Sequence, residues 1–354
     1  MQRVSLKFLA KELSLSEGTV SRALNGYSDI SQGTVERVRA AAEKYNYRAN
    51  HNARRLATGV AETVAYMMPP GSGAISEPFV AHLLEGIGQS LATRGWDLLM
   101  VQVPSAEQEA EAIRKLVTSG KVSGLVLSRP YKKDARIELL RKMNFPFIVH
   151  GRSVNHDDYA WYDVDSETAF VTAVDHLVML GHRRIGFVGA PTYYNFAQMR
   201  LDGYKKGLAA NDLPIDDELI EICEMSDSGG ESAASVLLDS DNHPTAMLCA
   251  TDTQAFGVLA AIRARGLIAG KDVSVIGYDG IDFCKHANPP LTTMAQPQAH
   301  SGRQIGDMLL AIIDGGKPTD YQELRSAKLK RRMSDGPVGP NNLNLDVSNG
   351  GDNE

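Results

Sequence analysis

Apolar residues recur at three- and four-residue intervals from the start of the chain to about residue 58, and no run there alternates like a strand. Leu6, Leu9, Ala10 and Leu13 share one helical face. Ser16 is placed to cap a second short helix reaching Leu24, with Thr19, Val20 and Ala23 or Leu24 turned inward. Asn25-Gly26 breaks the pattern, and Ser31 opens a third helix on which Val35, Val38, Ala42 and Tyr45 recur. From Glu62 short apolar runs alternate with amphipathic stretches of ten or more residues. The runs predict strands at 64–67, 97–101, 124–127, 147–150, 161–164, 185–188, 246–250 and 273–278. The stretches between them predict helices, such as 79–94, 107–119, 166–180 and 252–265. Strand–helix alternation of this kind implies parallel sheet covered on both faces. The length of the segment favours two doubly wound α/β units over one continuous sheet. The stretch from Asp335 to the end is rich in Gly, Asn, Asp and Pro without periodicity and predicts disorder over 335–354.

Composition adds little until it is divided along the chain. The 354 residues are 43% hydrophobic and 23% charged, as in soluble globular proteins. No run of about 18 apolar residues offers a membrane span, and the N-terminus lacks a secretory h-region. A cytoplasmic protein is expected. Cys223, Cys249 and Cys284 are far apart and fit no metal spacing, and the histidines do no better. Neither a metal nor a cofactor is expected, and no phosphate-cradling glycine motif occurs. The net charge of −6, however, conceals an asymmetry. Residues 1–59 hold ten Lys/Arg against five Asp/Glu, so the head carries +5 and the remainder −11. A basic head on an acidic body suits a head that meets a polyanion.

Within the head, Ala10 suits a close helix crossing, Leu15 fills the turn and Val20 plugs the second helix onto the first. The outward residues Glu17, Gly18, Ser21 and Arg22 can then enter a major groove, and Ser16 and Thr19 beside them are counted among the DNA contacts. Arg22 can donate bidentately to guanine, and Glu17 can accept from a cytosine amino group. The same pattern would also serve a three-helix bundle with no nucleic-acid role. Val4-Ser5-Leu6-Lys7, Ala10, Leu15-Ser16, the run Thr19-Val20-Ser21-Arg22-Ala23-Leu24-Asn25-Gly26 and Tyr47-Arg48-Ala49-Asn50 closely resemble the head of the lactose-repressor family. Ser14 stands where that family usually has glycine at the corner.

The resemblance implies a helix-turn-helix domain over 1–49, with Asn25 among its DNA contacts, and a hinge over 50–59. Asn50 would cap the hinge helix, and Ala53, Arg54, Leu56 and Ala57 would meet DNA or pack there. Leu56 would be the wedge that opens a base step from the minor groove. Nine residues are marginal as an isolated helix, so a plain linker remains the other reading.

Over 60–334 the resemblance is looser. It rests on Leu84-Glu85-Gly86-Ile87, Gly181-His182-Arg183-Arg184-Ile185, Arg200-Leu201-Asp202-Gly203-Tyr204, Ser274-Val275-Ile276-Gly277-Tyr278-Asp279 and Pro290-Leu291-Thr292-Thr293. It implies two lobes like those of periplasmic sugar-binding proteins: an N-lobe of about 60–161 and 293–322, and a C-lobe of about 162–290 and 323–334. Ligands of doubly wound sheets sit at strand C-terminal ends. Those positions hold Phe79, Ser128, Arg152, Asp163, Arg200, Thr251, Asp252, Asp279 and Gln296. An aromatic plane with guanidiniums and carboxylates suits a polyhydroxylated ligand. The resemblance ranks Arg200 and Asp279 first. Asp252 reads equally well as a helix cap, and Asp163 or Asp165 as a strand-end cap. Thr251 and Met225 depart from what relatives often carry and leave the sugar open.

The expected function is therefore a repressor, not an enzyme, that binds palindromic operator DNA as a homodimer. A small, glucose-containing sugar in the core would control it. The alternatives are an activator or corepressor-type regulator, a sugar-binding transport protein, or an enzyme using Asp252 and Asp279 as an acid/base pair.

Overall fold

The computed structural model of the chain describes residues 4–24, 27–47, 60–70 and 77–339. The chain divides into two units, Met1–Glu62 and Thr63–Glu354. The expected hinge residues Asn50, Ala53, Arg54, Leu56 and Ala57, the contact Asn25 and the stretch 340–354 lie outside the described residues.

The first unit contains α1 (Leu6–Leu13), α2 (Glu17–Leu24) and α3 (Gln32–Lys44). Hydroxyls satisfy the orphan amides at each start: Ser5 Oγ accepts from Phe8 N, Ser16 Oγ from Thr19 N and Ser31 Oγ from Thr34 N. Leu9, Ala10, Val20, Ala23, Val38 and Ala41 form the core, with Leu15 packed against it. Ser14 adopts the left-handed conformation that the turn requires, at φ 53° and ψ 42°. The amides after the helix close back onto it, Leu15 N donating to Ala10 O at 3.0 Å. Those bonds offset the roughly 1–2 kcal/mol that a side chain costs in this conformation.

In the second unit two six-stranded sheets make two lobes. The N-lobe sheet contains β1 (Thr63–Met67), β2 (Asp97–Val101), β3 (Gly124–Ser128), β4 (Phe147–His150), β5 (Ala160–Val164) and β11 (Gln322–Arg325). They lie in the order β11-β5-β4-β3-β1-β2, all parallel. Side chains alternate across this sheet. Val64, Tyr66, Val126 and Ile148 meet α4 (Pro78–Ala92) and α11 (Gln298–Ile313). Ala65, Met67, Leu125, Leu127 and Val149 meet α5 (Glu109–Thr118) and α6 (Ala135–Lys142).

The C-lobe sheet contains β6 (Ile185–Gly189), β7 (Ile220–Ile222), β8 (Ala246–Cys249), β9 (Ser274–Asp279), β10 (Thr292–Ala295) and β12 (Lys328–Lys330). Its order is β12-β10-β9-β8-β6-β7, with β12 antiparallel to β10. One face carries α7 (Ser166–Met179) and α8 (Asn195–Ala210), and the other α9 (Asp227–Leu238) and α10 (Asp252–Ala264). Glycines let paired helices approach. A Cβ on Gly302 of α11 would fall 2.2 Å from Leu83 O of α4, and one on Gly257 of α10 would fall 1.9 Å from Asp227 O of α9. Among the described residues no helix is long and apolar enough to cross a membrane.

All eight predicted strands are present, each bound within one residue of the expected one. β7, β10, β11 and β12 were not predicted. β7, β11 and β12 are edge strands of three or four residues, and β10 reads Thr-Thr-Met-Ala, so none carries an apolar run of the expected length. They change the lobe bounds. β5 stays in the N-lobe through Val164, where Asp163 pairs with Leu324 of β11, so 162–164 and 323–325 are N-lobe rather than C-lobe. β10 pairs with β9 and β12, so 293–295 are C-lobe rather than N-lobe.

The expected disorder from Asp335 is corrected over 335–338. Ser334 and Asp335 are buried. Asp335 Oδ2 bonds His176 Nε2 at 2.6 Å, and Thr292 Oγ1 donates to Oδ1. Gly336 N donates to Ser274 Oγ, and Val338 N to Leu180 O. Composition missed this because the anchoring groups are distant polar side chains, not neighbours in sequence. His176 is thus a structural histidine, and His182, bonded to Thr245 and Ser274, is another. Asp335→Ala leaves His176 Nε2 and the Thr292 hydroxyl proton without their buried acceptor. It should cost about 3 kcal/mol, a fall in Tm of roughly 6–12 °C; Asp335→Asn, which keeps an acceptor, should cost less. Calorimetry showing Asp335→Ala as stable as the wild type would disprove the clasp.

Candidate functional site

Two surfaces bring functional side chains together. On the head, Val20 and Ala23 fix α2 to the core, which turns Glu17, Gly18 and Arg22 outward. Ser16 is exposed, while Thr19 and Ser21 are half-buried. A Cβ on Gly18 would meet nothing nearer than Ser16 Oγ at 3.7 Å, so packing within the head does not demand glycine. Arg22 forms an ion pair with Asp29 and stands 5.8 Å from the centre of the Tyr27 ring. Both members of the pair are about half exposed, which makes it cheap to break.

In the second unit a cleft of about 820 Å³, its open mouth included, lies at the C-terminal ends of both sheets. Seven of the nine expected ligand residues line it: Phe79, Ser128, Asp163, Arg200, Thr251, Asp279 and Gln296. Arg200 projects from α8 between two rings, 3.9 Å from the Tyr278 centroid and 4.6 Å from that of Phe196. It donates to Ala250 O at 2.5 Å, which ties the helix to the end of β8. Asp279 has φ 123°, a conformation that turns the chain out of β9 into Gly280. Its carboxylate accepts from Gln296 Nε2 at 2.8 Å, and its carbonyl from Gln298 Nε2 at 2.7 Å. Burial pushes the Asp279 carboxyl well above the usual range, against the pull of the Arg200 guanidinium. Burial also raises the Asp163 carboxyl, opposed by Arg152.

Two expected contacts are corrected. Arg152 is not part of the lining. Its Nε donates to Asp163 at 2.7 Å, and its guanidinium lies over Trp161, so its role is to hold Asp163. Asp252 is fully buried. It accepts from Gly280 N, Ile281 N, Cys284 Sγ and Thr293 Oγ1 at 2.6–3.1 Å. Four donors occupy that carboxylate, so it fixes the loop after β9 and cannot serve with Asp279 as an acid/base pair in the cleft.

The sequence reading missed Tyr66, Glu77, Arg129, His150, Phe196 and Thr253 in the lining. His150 ends β4 and Arg129 follows β3, so the strand-end rule would have found both. Phe196 stands four residues before Arg200 on α8 and therefore shares its face. Glu77 forms an ion pair with Arg129 from across the mouth of β1, a pairing that only tertiary proximity reveals.

Beside the cleft the lobes touch directly. Tyr131 bridges to Tyr194, their rings stacked at 5.4 Å, and Asn195 N donates to Pro130 O at 3.0 Å. Arg136, buried with Glu109 and Asp134, supports the other side of the Tyr131 ring at 4.8 Å.

Comparison with known proteins agrees with this architecture. Residues 6–50 match the model of bacterial regulatory proteins of the lacI family, and residues 174–334 that of a periplasmic binding protein-like domain. The HTH-type transcriptional regulator AglR of Rhizobium meliloti is 37% identical over 95% of each chain. The lac repressor dimer bound to operator and the anti-inducer ONPF superimposes with a TM-score of 0.82, at 28% identity over 95% of this chain and all of that one. The transcriptional regulator CelR–cellobiose complex gives 0.73, at 27% identity over 94% of this chain and all of that one. The chain belongs to the lacI family of DNA-binding bacterial transcriptional regulators, with a helix-turn-helix head and a periplasmic-binding-protein-like α/β core.

Proposed function

We propose that the protein is a homodimeric, cytoplasmic repressor that binds a palindromic operator and releases it when a small neutral sugar, glucose-containing, fills the cleft. One reading helix covers one half-site, so two heads on a two-fold axis match a palindrome. The exposed row Glu17, Gly18 and Arg22, with a glycine that packing does not need, supports groove contact by α2. The operator complex of the lac repressor and the cellobiose complex of CelR support the two ligand classes.

The observation that carries the sugar reading is the chemistry of the cleft. Ser128 Oγ is buried in its wall beside the Tyr66 hydroxyl and has no well-formed hydrogen bond among the described residues, so a ligand hydroxyl would satisfy it. The charges balance. Arg129 and Arg200 face Glu77, Asp163 and Asp279, and Arg152 supplies the third positive charge through Asp163. A lining that is charge-neutral yet dense in donors and acceptors, with Phe79 and Phe196 as apolar planes, suits an uncharged polyol. Closure on the sugar would move the lobes about their chain crossings and separate the paired hinges around Leu56, which relaxes the DNA-bound form.

Arg22→Ala should lower the preference for an operator recovered from random duplexes by about 5–150-fold, the worth of one bidentate base contact. Its salt-dependent binding to random DNA should stay nearly unchanged; equal losses on both would place Arg22 on a phosphate instead. Arg200→Ala and Asp279→Ala should still bind operator but resist release by sugar, whereas sugar should weaken wild-type operator binding on the order of 5–150-fold. Fluorescence anisotropy with and without saturating sugar measures both. Tighter DNA binding in the presence of sugar would replace the inducible repressor by a corepressor-type regulator.

A further inference from the structure

His150 is the last residue of β4, and it pairs in register with Ser128 of β3 and Tyr162 of β5. Period-two alternation places its side chain on the face of Ile148, toward α4. There its ring meets Phe79, at 5.6 Å between centroids and 28° between planes. The stacked pair stands in the N-lobe wall of the cleft. Neither ring nitrogen of His150 has a hydrogen-bond partner among the described residues. By contrast, Arg200, Asp163, Asp279 and Gln296 in the same cleft each bond a protein group. A half-buried polar ring that lines the cleft and is left without a protein partner is open to something that enters it.

We propose that His150 is a specificity-determining contact of this cleft, a neutral imidazole that exchanges a hydrogen bond with a hydroxyl of an uncharged sugar bound beside the stacked Phe79–His150 pair. The assignment rests on the carbohydrate reading above and adds to it the group that reads the N-lobe side of the ligand. A neutral imidazole has one N–H donor and one nitrogen acceptor, the same pair that a hydroxyl offers in reverse. Burial, reinforced by the Arg129 and Arg200 guanidiniums, pushes its pKa down to about 4, so the ring keeps its acceptor near neutral pH. Protonated, it would carry two donors and no acceptor beside two existing cations. Stacking on Phe79 fixes the ring plane, so the direction of the bond is set before the ligand arrives.

The test uses the full chain and five probes: maltose, sucrose, trehalose, melibiose and cellobiose. Affinities are measured by calorimetry for the wild type, His150→Leu and His150→Gln, together with each protein's Tm without sugar. The wild type should bind at least one of the five. His150→Leu should weaken that sugar about 10-fold or more, and His150→Gln, which keeps a donor and an acceptor, should stay within about 3-fold. Unliganded Tm values should agree among the three proteins. In ¹⁵N spectra of the wild-type imidazoles, the signal absent from His150→Gln should move on saturation with the same sugar. That readout does not depend on the Leu variant folding. Undiminished binding by His150→Leu, a His150 signal that stays in place, or loss in both variants with a lowered Tm would each overturn the His150 assignment while leaving the carbohydrate reading standing. Failure of the wild type to bind any of the five sugars would overturn both.

Discussion

The chain passes between the two lobes three times, and the last two passages each complete a sheet that was begun elsewhere. It leaves the N-lobe after Val164, returns after Ala295 to supply α11 and β11, and crosses again after Arg325 to add β12. Neither sheet is therefore finished by a continuous stretch of chain. The crossings bring the C-terminal strand ends of both sheets to one cleft and leave the lobes able to hinge about them. Each return must also pack at close range, which is why Gly86 and Gly302 stand where α4 and α11 cross.

Polar burial in the core divides into groups that hold the framework and groups left for the cleft. Asp252 and Asp279 lie near one another and are both desolvated, yet they do different work. Asp252 is saturated by four donors from the loop after β9 and from β10. Asp279 accepts from one side chain, Gln296, and keeps lone pairs for the space in front of Arg200. The same division separates Arg152, spent on Asp163, from Arg200, whose rings and single carbonyl partner fix its plane at the cleft wall. Ser128 and His150 complete the second class, because both line the cleft and neither has a well-formed side-chain hydrogen bond among the described residues.

The elements of this protein were legible in the sequence because helix and strand periods are local properties. The eight apolar strands, the Ser16 and Ser31 caps and the outward row of α2 all follow from residues within a few positions of one another. Most of the cleft followed as well, since doubly wound sheets present their strand ends at one edge and Phe79, Ser128, Arg200 and Asp279 stand there. The four short strands β7, β10, β11 and β12, the Glu77–Arg129 pair and the clasp of Asp335 on His176 left no such trace. The Glu77–Arg129, His176–Asp335 and β5–β11 partners lie from about 50 to about 160 residues apart in sequence, and groups at such separations carry no period. Sequence by itself determined the helical head and the eight apolar strands, that a basic head precedes an acidic core, and most of the residues that reach the cleft. The tertiary structure decided which of those residues face the cleft and which are consumed in holding it, because hydrogen-bond saturation depends on donors that only folding brings within 3 Å.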